Sequence, residues 1–273
     1  MPENELLLQV TRWVQTKYYG KYRGFVVDVE DPEMRGRVRV RVPSVLGEAE
    51  TAWALPCVPY GGGADYGFFA VPPVDSQVWV EFEEGELAQP IWSGTFWQQQ
   101  GDPPDEATAG SKPVAVVLKT PGKHLLVLDD EKDKEKVRLV HSAGSEIGID
   151  EKGIVTLVDK GGAVVTLDPD AGTLSIEDAN GNSIHMTSSG TTVEDANGNK
   201  IEMASAGITV SGQKVVLKGS SVMLGGDGGE PIIKGQSFLQ LFMTHMHPTA
   251  MGPSGPPIPQ GEMSTLSTKV LTS

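Results

Sequence analysis

A chain of 273 residues has room for about two domains, and its 33 glycines and 19 prolines favour turns and short strands over helices. A formal charge of -14 argues against a nucleic-acid partner, because phosphates demand a basic footprint. A single cysteine, Cys57, excludes an intrachain disulfide and is expected to be a small buried residue near a strand end.

Residues 1–19 read as an arm in which Leu6, Leu7, Val10 and Val14 fall at helical spacing. The opening MPENELLLQV has no basic n-region followed by a long apolar stretch, and no apolar run approaches the roughly 20 residues of a membrane span. The chain is therefore expected to be made in the cytoplasm and to travel by a route other than Sec export. Residues 20–97 read as a small all-β domain. Two β-rich runs flank the turn Asp31-Pro32-Glu33-Met34-Arg35-Gly36, and in the second run Val38, Val40 and Val42 alternate with Arg37, Arg39 and Arg41. A Gly61-Gly62-Gly63 loop and two further strands, 77–83 and 90–94, complete a set that suggests a small closed barrel such as an OB-fold. Trp53, Trp79 and Trp92 are expected in its core or at a contact between copies.

Residues 98–119 form a Pro- and Gly-rich linker, too short to hold an inserted catalytic domain. Residues 120–235 are repetitive. IEDANGNSIHMTSSGTT (176–192) lies over VEDANGNKIEMASAGIT (193–209), and weaker copies precede it at 140–157 and 158–175. Each unit reads as a turn, a short alternating strand, a Gly turn and a second strand. The pairs Leu174 and Ile176, Ile184 and Met186, and Ile208 and Val210 lie two apart, so one face is dry. The EDANGN copies are read as solvated hairpin turns in preference to calcium loops, whose Asp pattern is denser.

Between Trp97 and Phe238 there is no Phe, Tyr or Trp, although the chain has seventeen aromatics in all. A stack of hairpins with one narrow aliphatic face and no rings has nothing of its own to close that face. Three copies wound about a common axis would close it, which predicts a homotrimer with an intertwined β-helix over 120–235. A single-chain β-solenoid is the plainer alternative. In the last part, 236–273, Phe238, Leu239 and Phe242 fall at helical spacing and predict a short helix packed around the threefold axis. The Pro- and Gly-rich stretch after Pro248 is expected to run extended and to fold back over the tip or shaft.

The residues Gly24-Phe25-Val26-Val27-Asp28, Asp31-Pro32, Gly36-Arg37-Val38-Arg39-Val40, Trp53, Pro72 to Val78, Val80 to Gly85 and Pro90-Ile91-Trp92-Ser93-Gly94 resemble the N-terminal OB-fold of contractile-tail baseplate spikes. That family includes phage baseplate assembly protein V and the VgrG proteins of type VI secretion, and the repeats resemble the triple-stranded β-helix that follows in them. The large hub portion of VgrG and the lysozyme insertion of some phage hubs have no counterpart in this sequence. The resemblance implies an all-β fold: an N-terminal OB-fold barrel, an intertwined trimeric β-helix and a short C-terminal tip. It implies a non-enzymatic central spike that punctures a target cell envelope on sheath contraction, in a virion baseplate or an injection particle. Its partners would be baseplate hub and tube proteins and a PAAR-like tip protein.

His245 and His247 are the sharpest chemical feature. Two His at this spacing on an extended strand point the same way, and three chains would bring six imidazoles to one axial ion. Six nitrogens suit a first-row ion other than zinc, and the resemblance implies iron. No paired carboxylates, Ser-His-Asp, Cys-His or phosphate-cradling motif is evident. An elongated β-helix is nonetheless shared by tail-associated hydrolases of peptidoglycan or surface polysaccharide, which is the rival reading. A third is an OB-fold module that binds oligosaccharide or single strands.

Overall fold

The structure is a computed structural model that describes residues 3–110, 112–220, 222, 233 and 235–258, and it separates into two compact units, 1–209 and 210–273. The first begins with a helix, α1 (Glu3–Gln15), which contains the four apolar arm residues and leaves Leu7, Val10, Trp13 and Val14 exposed. Five strands follow: β1 (Tyr22–Asp28), β2 (Arg39–Arg41), β3 (Leu55–Pro56), β4 (Gln77–Phe82) and β5 (Pro90–Thr95). They form one sheet in the order β2-β1-β4-β5-β3, antiparallel except for the β3–β5 pair.

Strict alternation builds this barrel. Along β4, Val78, Val80 and Phe82 point inward while Gln77, Trp79 and Glu81 face outward. Val26, Val38, Val40, Val42, Val78 and Val80 are fully buried, and Trp92 joins them with its indole N–H donated to the Gly36 carbonyl at 3.1 Å. A core of β-branched residues suits a small, highly curved sheet. Gly24 is required by it: a Cβ there would lie 2.4 Å from Val40 Cγ1 and 2.9 Å from Val80 Cγ2. The one-turn helix α2 (Pro43–Leu46) starts on a proline, which has no N–H to leave unpaired, and follows the last core valine. Trp53 and Trp79 lie half-buried on the outside of the barrel, so of the three tryptophans only Trp92 is core. Cys57 is exposed, contrary to the sequence expectation. Its backbone N–H bonds the Trp92 carbonyl at 2.9 Å, just past the short strand β3, which leaves the side chain outside the barrel.

Behind the barrel lies an antiparallel meander in which each strand pairs with its neighbours in sequence. Its strands are β6 (Ala115–Lys119), β7 (Leu125–Asp129), β8 (Lys136–Val140), β9 (Glu146–Ile149), β10 (Val155–Val158), β11 (Val164–Asp168), β12 (Thr173–Glu177), β13 (Ser183–Thr187), β14 (Gly190–Glu194), β15 (Lys200–Ala204) and β16 (Gly207–Ser211). The short helix α3 (Asp105–Thr108) precedes it, with Glu106 bonded to Lys119 of β6 at 2.8 Å. The turns obey the chemistry of their Asp residues. The Asp178 carboxylate accepts the backbone N–H of Asn180 and Asn182 and the side-chain amide of Asn182, and Asp195 repeats the arrangement with Asn197 and Asn199. These carboxylates are occupied as turn braces, and Asp178 is held well below the ordinary carboxylate range first by the Asn182 side chain.

In the unit 210–273 the helix α4 (Gly235–Thr244) covers the predicted stretch and is followed by the two-residue strands β17 (Pro248–Thr249) and β18 (Gly252–Pro253). Leu239 is buried, whereas Phe238, Leu241 and Phe242 are exposed. Most of 221–234 and the tail beyond 258, including the end of the expected extended segment, lie outside the described residues.

Candidate functional site

The cross-strand register of the meander collects its aliphatic side chains on one face. One column runs Leu118, Leu126, Leu139, Ile147, Leu157, Val165, Ile176, Ile184, Val193 and Ile201, each directly opposite the next. A second column, two residues along each strand, begins at Val116 and Leu128 and ends at Met186, Thr191 and Met203. Thr191 is its sole polar member. Ten strands at about 4.8 Å spacing make this stripe about 45 Å long. The opposite face is polar along its centre: Thr156, Thr166, Ser175, His185 and Thr192 stand in one row. Among the described residues, Leu125 and Val127 on β7 and Gly148 on β9 are buried on this face.

Among the described residues nothing seals the aliphatic stripe. Leu139 is 53 % exposed, Leu157 45 % and Ile176 41 %. A monomer that leaves so long an apolar strip to water is unusual, and such surfaces mark contacts with other chains. The sequence signal for the clear repeats extends backwards here. Strands β6 to β11, outside the obvious EDANGN copies, carry the same columns.

His245 and His247 lie at the end of α4 and just before β17. The pair is not on a continuous extended strand as expected, because the His245 N–H still bonds Phe242 in the helix's last turn. The two rings nevertheless stand 5.0 Å apart between centroids, nearly perpendicular at 84°. The His245 Nδ1 contacts the Phe242 carbonyl oxygen, which as an acceptor fixes the proton on Nδ1 and leaves the Nε2 lone pair free. That tautomer fits a metal ligand. Among the described residues no three His, Cys, Asp or Glu side chains of one chain gather into a metal site, so the pair alone supplies a partial ligand set.

On the barrel, the tightest electrostatic arrangement is structural. Asp31, in the β1–β2 turn, accepts the Arg37 guanidinium at 3.0 and 2.6 Å and the backbone N–H groups of Glu33, Arg35 and Arg37. The Arg37 bond, then those backbone donors, hold its carboxyl well below the ordinary 3.8. The Arg37 and Arg39 guanidiniums lie over Trp53, at 5.9 and 5.2 Å from the ring centroid.

Among the described residues, no helix is long and apolar enough to cross a membrane. No curated protein matches the chain. Among solved structures, the G-box domain of the microcephaly protein CPAP, with a suggested role in centriole elongation, is similar over 70 % of this chain and 99 % of its own. Its sequence identity is 11 % and its TM-score 0.27, and the likeness carries no argument. Residues 22–97 match the family model of the type VI secretion system/phage-baseplate injector OB domain, a match that takes in all five barrel strands. Within residues 22–97 the chain is therefore similar to the OB domain of type VI secretion and phage-baseplate injectors.

Proposed function

We propose that this chain is the central spike of a contractile injection baseplate, and that it works as a homotrimer. The observation that carries the reading is the exposed aliphatic stripe behind an injector OB domain. Three such stripes packed on one another would remove the apolar surface from water without any aromatic residue, in line with the absence of rings between Trp97 and Phe238. Winding three meanders together would also pair or protect strand edges that a single sheet leaves open. The mechanical role follows. Sheath contraction drives the tube, the barrels pass the force from the hub, and the shaft concentrates it on a small area of the target envelope. No bond is made or broken by the protein in this scheme.

The His245–His247 pair is proposed to staple three tips. The Nδ1 contact to a backbone carbonyl and the free Nε2 favour ligation, and six imidazoles around an axis suit iron. A PAAR-like protein is the proposed neighbour at the tip, and the assembled particle the proposed location. Native mass spectrometry of the purified protein tests both parts together. The expected mass is three times the 29.1 kDa chain plus one metal atom. A monomer refutes the spike, and a metal-free trimer refutes the staple alone.

A further inference from the structure

The aliphatic face of the meander has a polar rim on each side of its stripe. His124 stands just before β7 and Asp130 just after it, while Glu135 stands just before β8 and His141 just after it. Alternation from Leu126, Leu128, Val137 and Leu139 puts all four on the aliphatic face, the imidazoles at one edge and the carboxylates at the other. The two rings meet across the strands, 4.6 Å between centroids. The Nδ1 atom of His141 accepts the Ala143 backbone N–H at 3.1 Å, so the neutral ring carries its proton on Nε2, as a donor. All four side chains are exposed. In the β7–β8 hairpin Lys134 pairs with Glu131 and Lys136 with Asp129, and among the described residues Asp130 and Glu135 have no such partner. Six residues separate His124 from Asp130, about 20 Å at the rise of a strand. One copy therefore cannot join its own two rims.

Threefold closure fixes what each rim meets. Rotation about the long axis of the stripe carries no displacement along it, so one rim of a strand meets the other rim of the same strand in the next copy. His124 then faces Asp130 at the level of β7, and His141 faces Glu135 at the level of β8. The later strands agree with that register. On the imidazole rim Asp159, Asp178 and Asp195 follow β10, β12 and β14, and their counterparts on the far rim are Gly153, Gly172 and Ser189. At none of these levels do two carboxylates meet. A slip of two strands would set Asp159 against Glu135, and like charges placed opposite each other are destabilising.

We infer that the His124 and His141 imidazoles of one copy hydrogen-bond Asp130 and Glu135 of the next, which sets the axial register of the three shafts at β7 and β8. The contact rests on the threefold assembly proposed above and adds to it. An aliphatic stripe holds copies together but does little to oppose sliding along the axis, whereas polar pairs fix one height.

Cross-linking tests the register. In the full chain carrying Cys57→Ser, His124→Cys combined with Asp130→Cys is expected to give a covalent trimer of three times 29.1 kDa on a denaturing gel after treatment with a short bismaleimide. His124→Cys combined with Ser189→Cys should give none, because β7 and β14 lie about 34 Å apart along the sheet. A matched pair that stays monomeric on the gel, or a mismatched pair that links equally well, overturns the contact. Charge exchange tests the chemistry. D130K/E135K is expected to lower the shaft's melting midpoint, read by circular dichroism, by about 5 °C, and addition of H124D/H141D to restore most of the loss. Asp at position 141 suits the turn, since Asp159, Asp178 and Asp195 brace the equivalent turns along that edge. Unchanged melting of D130K/E135K, or a quadruple variant no better than it, likewise overturns the contact. Native mass separates the two readings: a trimer that fails either test removes the rim contact alone, and a monomer removes the threefold reading with it.

Discussion

Ile176 sits midway along the aliphatic stripe, opposite Val165 on one side and Ile184 on the other, and is 41 % exposed in the single chain. Full burial of an isoleucine side chain contributes about 1.5–3 kcal/mol. Sealing the remaining fraction in a trimer is therefore worth about 0.6–1.2 kcal/mol per copy, or about 2–4 kcal/mol for three. Ile176→Asp does more than forfeit that term. It places a carboxylate in a dry seam at several kcal/mol per ion, so the assembly loses on the order of 10 kcal/mol. At 1.4 kcal/mol per decade this weakens the trimer by about seven orders of magnitude, and sedimentation velocity at micromolar concentration should find monomer or aggregate. The neighbouring Ser175 points to the other face, opposite Thr166 and His185. Ser175→Asp should keep the trimer and melt within a few degrees of wild type. If the stripe instead stays open to water, Ile176→Asp changes only strand propensity, a matter of about 1 kcal/mol at most. An Ile176→Asp protein with wild-type mass and wild-type melting refutes the sealed seam.

Two predictions concern the barrel. Gly24→Ala drives a methyl into Val40 and Val80, both fully buried, and should destabilise the barrel by about 1–3 kcal/mol, read as a lower denaturant midpoint in tryptophan fluorescence. Asp31 tests the pH dependence. Its folded value is depressed by Arg37 and by backbone donors, so the stability it supplies is complete above the ordinary 3.8 and is lost as pH falls toward the folded value. The wild-type midpoint should drop between about pH 4 and about pH 2, while Asp31→Asn should start lower at neutral pH and decline less over that interval. Parallel curves for the two proteins would remove Asp31 from the account.

What the sequence made legible was whatever repeats with a short period. Val38, Val40 and Val42 alternate with arginines, and all three valines are fully buried. Ile184 and Met186 recur as Ile201 and Met203, and the register sets all four on one face. Helix α4 was legible for the same reason, from apolar residues at helical spacing. Cys57 was misread because burial follows from tertiary cover and not from residue type, and the chain past the short strand β3 has none. The geometry of His245 and His247 escaped for a related reason: spacing two apart defines a common side only on a strand, and the last turn of a helix intervenes.

The surroundings of Arg39 and Arg41 were hidden more deeply. In the sequence Arg39 and Arg41 are the solvated half of an alternating strand, which is their correct local description. Their Nε atoms are enclosed all the same, and distant stretches bring rings to them: Arg39 lies over Trp53 and Arg41 over Phe25. Periodicity assigns a side chain to a face, but it does not say what else reaches that face. The aliphatic stripe obeys the same logic in reverse. Its residues were legible one hairpin at a time, whereas its continuity over ten strands depends on every turn keeping register. One slipped turn would send half the leucines to the polar side. The Asp-braced turns at Asp178 and Asp195 hold that register by binding the backbone N–H groups on both sides of each Asn-Gly. The polar repeats that look like surface decoration thus keep the apolar stripe whole, and the stripe is the surface on which the proposed trimer depends.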